Sequence, residues 1–257
     1  MFYSMMYSVR KTTIFHGNSN FYVLLFILLL TTLLVVNFGK NYLIIFLSSS
    51  SLHVIIESGL TITGIRKGST YLFKKKLHRV PEILLRSFVE GPAFCVPAFF
   101  VADQYSRGNI LVPVLASILI VGGASAYLAF SDRRNLRAFS SQDSVIISRR
   151  AMTNPKAVML LTLVNTLCIS IMFFIPMEHR LHASIYIFSY AAFVLFFYFI
   201  NYNFGVRYIE LYNPVTGEYY KPNLGMQMAG LFYDSAYEMT ILISPAYWIP
   251  FYMNFFQ

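Results

Sequence analysis

The sequence predicts an all-α fold, a polytopic integral membrane helical bundle of about seven transmembrane helices. Of its 257 residues, 57% are hydrophobic and 12% are charged, against ~25% charged in a typical soluble domain. The mean hydropathy is +0.58. Apolar runs such as 21–37 and 183–200 are long enough to cross a bilayer. These observations exclude soluble globular, disordered and disulfide-scaffold proteins.

Seven apolar stretches have the length of a membrane span. We expect a single transmembrane domain over 1–257, with extramembrane loops at 131–156 and 201–226. The first span is expected to be a retained helix, because it is too long for the core of a signal peptide. The predicted spans are 21–38, 42–64, 83–102, 109–130, 157–176, 182–200 and 227–250.

The basic residues predict the orientation of these spans. If the seven helices alternate, 16 of the 20 Lys and Arg residues fall on one side of the membrane and three on the other. The three are Lys40, Arg107 and Arg180, and only Arg86 lies within a span. Since cytoplasmic loops carry the excess of basic residues, we expect the N-terminus inside.

The net charge of +9 has the same explanation. Basic residues that flank apolar segments favour contacts with anionic membrane lipids rather than with nucleic acid. Cys95 and Cys168 both lie within apolar segments, so no disulfide is expected. The organelle stays open between the endoplasmic reticulum and the mitochondrial inner membrane.

Six ionisable residues within the spans need an explanation, since a charge inside the bilayer costs ~2.5–3.5 kcal/mol on insertion scales. They form three pairs spaced four residues apart, which places both members of each pair on one helix face. The pairs are His53 and Glu57, Arg86 and Glu90, and Asp234 and Glu238.

Their depth suggests that the pairs meet. Glu57, Glu90 and Asp234 each lie seven residues from the inner end of a span, or ~10 Å at ~1.5 Å per residue. His53 and Glu238 lie eleven residues in, ~16 Å. We therefore expect two polar layers built from three helices.

Several carboxyl groups in a medium of low dielectric constant cannot all be ionised, which leaves neutral acids beside a base. That arrangement suits proton transfer to and from an apolar substrate. His53 is the expected proton shuttle, oriented or charged by Glu57. Two alternatives stay open: ion pairs or interhelical hydrogen bonds without chemistry, and a proton-coupled transport pathway.

The sequence lacks the residues that other kinds of membrane enzyme and cofactor protein require. The last predicted helix has no lysine for retinal, and five histidines are too few for the clusters of membrane desaturases. Repeated Glu-x-x-His pairs, typical of di-iron carboxylate sites, are absent. We expect no cofactor and no metal.

Leu52-His53-Val54-Ile55-Ile56-Glu57 resembles the His-x-x-x-Glu signature of the emopamil-binding protein (EXPERA) family. The likeness covers roughly 42–130 and includes Glu90, where that family has a second acid. It implies a sterol isomerase-like activity in which His53, Glu57 and Glu90 move protons on a sterol double bond. Trp248 is similar to a tryptophan that faces the cation there. The family has four or five spans rather than seven.

The chain is also similar in span number and length to fungal meroterpenoid cyclases, which place one acid in an early helix and one in a late helix. This resemblance implies Glu57 and Asp234 as proton donors for a carbocation cascade. The predicted catalytic residues are therefore His53, Glu57, Glu90 and Asp234, and the predicted ligand-binding residues are Glu238 and Trp248.

Two hypotheses about function follow. The first is a pocket for a sterol or prenyl ligand, with isomerisation or cyclisation by proton transfer. The second is a non-catalytic accessory subunit of a larger membrane complex, in which the charged pairs and the loop 131–156 contact protein partners.

Overall fold

The computed structural model describes residues 5–13, 16–62, 71–72, 75–138, 145–152, isolated positions between 159 and 173, and 174–256. This part of the chain is mostly helical. The helices are α1 His16–Phe38, α2 Asn41–Ile62, α3 Arg79–Glu90, α4 Pro92–Ser106, α5 Leu111–Ala138, α6 Met177–Asn203 and α7 Leu224–Tyr252. The strands are β1 Met5–Thr13, β2 Tyr71–Leu72, β3 Lys75–Lys76, β4 Val145–Ala151, β5 Arg207–Tyr212 and β6 Tyr219–Tyr220.

Within the described residues, five helical segments are long and apolar enough to cross a membrane. They overlap the first four predicted spans and the sixth. The predicted span 227–250 falls in α7, and the predicted span 157–176 lies largely outside the described residues. The five segments are Phe21–Phe38, Asn41–Gly59, Arg79–Ser106, Leu111–Ala138 and Met177–Asn203.

The third of these segments is two helices rather than one. Helix α3 ends at Glu90, and α4 begins at Pro92 after a turn at Gly91. Proline lacks the backbone N–H that would continue the hydrogen-bond ladder of α3, but it fits the first turn of a new helix. The break places Glu90 at the end of a helix, next to α2.

Gly91 is also the point of closest approach to α2. A Cβ atom at Gly91 would lie 2.7 Å from the backbone oxygen of Ser49, whereas a Cβ at Gly123 would meet nothing within 4 Å. Only glycine therefore allows α2 to pack this closely against the junction of α3 and α4.

Gly91→Ala is expected to lower the free energy of unfolding by about 1–3 kcal/mol, because a rigid backbone atom has to move to admit the methyl group. Denaturant titration in mixed micelles measures the change. The matched variant Gly123→Ala should keep or slightly raise the midpoint, because its methyl group meets no atom and alanine favours a helix more than glycine does. Equal stability of the two variants would contradict the close approach.

A four-stranded antiparallel sheet lies beside the helices, in the order β4-β1-β5-β6. The predicted all-α class therefore holds for the bundle and not for this sheet. Val9 pairs with Arg149 on one side and Tyr208 on the other. The sheet was missed because its strands come from the N-terminus and both predicted loops, so that local sequence does not show their pairing.

The sheet lies at one end of the bundle. It contacts the C-terminal half of the chain through α6 and α7, and β1 also packs on α5. At the opposite end, the guanidinium of Arg107 lies over the ring of Phe38, at 6.0 Å from its centroid. Arg107 and Lys40, next to Phe38, were predicted on the side away from the N-terminus, and here they lie at the end away from β1.

Helix α4 forms the centre of the bundle, where it packs against α2, α5 and α6. Its buried side chains include Cys95, Val96 and Phe99. Large apolar residues such as Leu29, Leu119 and Phe188 point outward instead and are exposed. This distribution is typical of helices that face lipid.

Candidate functional site

One face of α2 carries a polar stripe formed by Ser49, His53 and Glu57. Their spacing of four residues places them on successive turns. All three are buried. The hydroxyl of Ser49 donates to the carbonyl oxygen of Ile45 in its own helix, at 2.7 Å. The stripe therefore leaves His53 and Glu57 as the ionisable groups of this face.

His53, Glu57 and Glu90 meet in a cluster that we call the triad. The Nε2 atom of His53 lies 3.5 Å from Oε1 of Glu57 and 3.4 Å from Oε2 of Glu90. Each residue has one atom that could bind a metal ion, and these three atoms lie within 4.8 Å of one another. The structure thus brings together three of the four residues that were predicted to be catalytic.

Burial differs sharply within the triad. The exposed fraction of the side chain is 8% for His53, 2% for Glu57 and 28% for Glu90. Neither ring nitrogen of His53 makes a hydrogen bond of ordinary geometry with the described residues. An approaching molecule would therefore meet Glu90 first and His53 behind it.

The turn at Gly91 explains why Glu90 reaches His53. Gly91 packs against Ser49, one helical turn before His53, so the end of α3 lies beside the polar stripe. Arg86 pairs with Glu82, one turn earlier in α3, at 3.3 Å. The sequence predicts Arg86 and Glu90 on one face of this helix. The only sequence signal for the Gly91 contact is the combination of glycine and proline after Glu90.

Asp234, the fourth predicted catalytic residue, is held by the sheet. Its side chain is fully buried, and Oδ2 accepts a hydrogen bond from the hydroxyl of Ser8 in β1 at 2.5 Å. Nε of Arg207 in β5 lies 3.7 Å from the same oxygen. The guanidinium of Arg207 also lies over the ring of Tyr198, 4.0 Å from its centroid. Through these contacts Asp234 links α7 to β1 and β5 of the sheet.

The sheet also brings positive charge close to the triad. Burial lowers the pKa of Arg10 in β1, and the neighbouring charges of Arg207 and Arg86 lower it further, while Glu90 and Asp132 raise it. Arg10 is thus near enough to Glu90 to interact with it electrostatically. The charges of the sheet and of the triad therefore act on one another.

The two predicted ligand-binding residues both lie in α7. The side chain of Glu238 is outside the described residues. Trp248 is half-buried and packs edge-on against Tyr252, with ring centroids 6.5 Å apart. Its Nε1 has no hydrogen-bond acceptor among the described residues. The role predicted for each stays a prediction.

A second polar group, which the sequence did not predict, lies at the end of the bundle away from the sheet. Nδ1 of His182 is 2.8 Å from the hydroxyl of Tyr247, and both rings pack against Phe99. The hydroxyl of Tyr42 donates to Asp103 at 2.7 Å. Aromatic residues in spans are common, so nothing in the sequence marked these ones out.

A small apolar cavity lies between α1, α4 and α5. Its volume is about 20 Å³, and it is lined by residues that include Phe26, Thr31, Pro92 and Val121. A space of this size holds about one water molecule.

No family model, no curated protein and no solved structure matches this chain.

Proposed function

We propose that the chain is a multi-pass membrane protein whose triad transfers protons to and from a lipophilic molecule of the sterol or prenyl class. The observation that carries the proposal is the position of His53 Nε2 within 3.5 Å of carboxylates from two different helices. Imidazole beside two carboxyl groups is a combination suited to general acid–base chemistry. The resemblance to the EXPERA family supports the same three residues.

The reaction we propose moves a carbon–carbon double bond. Glu90 in its acid form gives its proton to one carbon of the double bond, whose electron pair forms the new C–H bond and leaves a cation on the other carbon. A neighbouring carbon then loses a proton to Nε2 of His53, and its C–H electrons form the shifted double bond. His53 then releases its proton to water, and the partly exposed Glu90 takes up a proton from water, so that each product carries one hydrogen from the solvent. The cycle consumes no electrons and no net proton.

The differences in burial support separate roles for the three residues. Glu90 is the most exposed member of the triad, which suits the group that meets the substrate. Glu57 is almost completely buried beside His53, one turn along α2, which suits a positioning residue that orients the imidazole. A cyclisation would use the same first protonation, with an internal double bond attacking the cation.

Deuterium from the solvent tests this function without knowledge of the substrate. Membranes that contain the chain are incubated in D₂O, the lipids are extracted and washed in H₂O, and carbon-bound deuterium is read by mass spectrometry. We expect one sterol or prenyl lipid to gain deuterium only when the chain is present. The same labelling in membranes without the chain would contradict the proposal.

We further propose that the chain crosses the membrane seven times, with its N-terminus and the sheet on the inner side. The charge count of the sequence supports this topology. The sheet supports it too, because it joins β1 to β4 and β5, which come from the two loops that the count places on the N-terminal side. Strands that pair with one another have to lie on the same side of a bilayer.

Cysteine labelling in sealed inside-out vesicles checks this topology. Val215, in the turn between β5 and β6, and Leu111, at the start of α5, are both exposed. We expect Val215→Cys to react with a membrane-impermeant maleimide and Leu111→Cys to react only after detergent is added. Right-side-out vesicles should give the reverse. Labelling of both from the same side would contradict the topology.

The accessory-subunit hypothesis is favoured by one observation. Among the described residues, β4 pairs only with β1, which makes it an edge strand. Its residues Ile147 and Arg149 are exposed. An open edge offers backbone groups to a strand from another chain. The register of β4 turns the N–H of Ile147 toward the open edge and that of Ser148 toward β1. A fixed protein partner that leaves when the edge is blocked, by Ile147→Pro, would support this second function.

A further inference from the structure

We propose that the triad is also a binding site for a divalent transition-metal ion of the zinc type, and that the ion inhibits proton transfer. The metal binding is argued from the three side chains and does not depend on the proposed function. The inhibition rests on the proposed function, because the metal would occupy the imidazole nitrogen that carries the proton.

The two distances from His53 to the carboxylates fit such an ion. Zinc binds imidazole nitrogen and carboxylate oxygen at ~2.0–2.2 Å in tetrahedral sites, which places two ligand atoms of one site roughly 3.3–3.5 Å apart. His53 Nε2 lies 3.5 Å and 3.4 Å from the carboxylate oxygens of Glu57 and Glu90. These separations are long for hydrogen bonds and have the length of a tetrahedral edge.

The state of His53 points to a ligand as well. The residue is only 6% exposed, and its Nε2 meets two carboxylates at 3.4–3.5 Å without an ordinary hydrogen bond to either. Buried polar groups usually make short hydrogen bonds in folded proteins. A metal ion at Nε2 would replace these two long contacts with ligand bonds.

Charge and access are consistent with this site. The two carboxylates of Glu57 and Glu90 attract a divalent cation and supply the oxygen ligands that zinc accepts beside an imidazole. Three protein ligands leave a fourth position for water, which is the pattern of open zinc sites. The partly exposed Glu90 gives the ion a way in.

The test uses the full chain, purified in mild detergent, stripped with a chelator and re-equilibrated with Zn²⁺. Bound zinc is then counted by elemental mass spectrometry. We expect one zinc per chain. His53→Gln and Glu90→Gln should each weaken binding by more than the ~10–100-fold that loss of a supporting hydrogen bond costs. The matched control His179→Gln, at an exposed histidine outside the triad, should bind as the parent does.

X-ray absorption of the zinc-loaded parent needs no variant and identifies the ligands directly. We expect one imidazole and otherwise oxygen ligands. Sulfur, two or more imidazoles, no stoichiometric zinc, or unchanged binding in both triad variants would overturn the metal site.

The deuterium experiment separates the two proposals. Zinc that binds at the triad and suppresses deuterium incorporation supports both parts of the inference. Zinc that binds there without suppressing incorporation overturns the inhibition alone. A chain that binds zinc at the triad but labels no lipid, even when stripped of metal, keeps the metal site and contradicts the proposed function.

Discussion

His53→Gln is expected to reduce lipid deuteration by about 10²–10⁴-fold, the usual contribution of one general acid–base group. Glutamine keeps a polar side chain of similar reach but cannot take up and release a proton. The same membranes in D₂O provide the measurement, with the quantity of chain in each sample matched by immunoblot. Loss of labelling with normal folding would locate the chemistry at the triad.

His179→Gln is the matched control for this variant. His179 is an exposed residue near the start of α6, where its ring packs against Phe251, and it is no part of the triad. We expect its labelling to equal that of the parent. If His53→Gln labels lipids as well as His179→Gln does, the triad is not the proton-transfer centre.

Asp234→Ala is expected to cost about 3–5 kcal/mol of unfolding free energy, the range observed when one partner of a buried ion pair is removed. The carboxylate is fully buried, and its loss deprives the buried guanidinium of Arg207 of a counter-charge and Ser8 of an acceptor. Denaturant titration in mixed micelles measures the effect. We expect the sheet to separate from the bundle first, with faster proteolysis of β1.

A double variant tests the pairing itself. Asp234→Ala combined with Arg207→Met should lose less stability than the sum of the two single changes, because neither charge is then buried without the other. Glu218→Ala, in the exposed β5–β6 turn, should leave stability unchanged. Additive losses in the double variant would show that Asp234 and Arg207 do not stabilise each other.

The sequence predicted the core of the triad because His53 and Glu57 lie close together along the chain. The four-residue spacing of His53 and Glu57 fixes their common face on α2, and the apolar context makes two ionisable groups conspicuous. Glu90 required a further step, namely its depth in the next span. The break at Gly91 was not foreseen, since an apolar run shows where a chain can cross a membrane but not where a helix is interrupted.

The surroundings of Asp234 could not be predicted in the same way. Asp234 lies as many residues from the inner end of its predicted span as Glu57 and Glu90 do, which suggested that the three meet. In the structure its partners are instead in β1 and β5. Ser8 lies 226 residues away along the chain, and only the sheet brings it near. The aromatic and β-branched residues in Arg207–Tyr212 were the available signal for β5, but pairing between distant strands depends on tertiary structure.

Native mass spectrometry of the chain, purified in mild detergent, is the most direct test of lipid binding at the triad, because it weighs the particle and identifies what is bound. We predict a small particle that carries one stoichiometric sterol or prenyl lipid, and we predict that Glu90→Gln retains less of it. A large particle with fixed protein partners and only bulk phospholipid would contradict the proposed function and make the chain an assembly subunit.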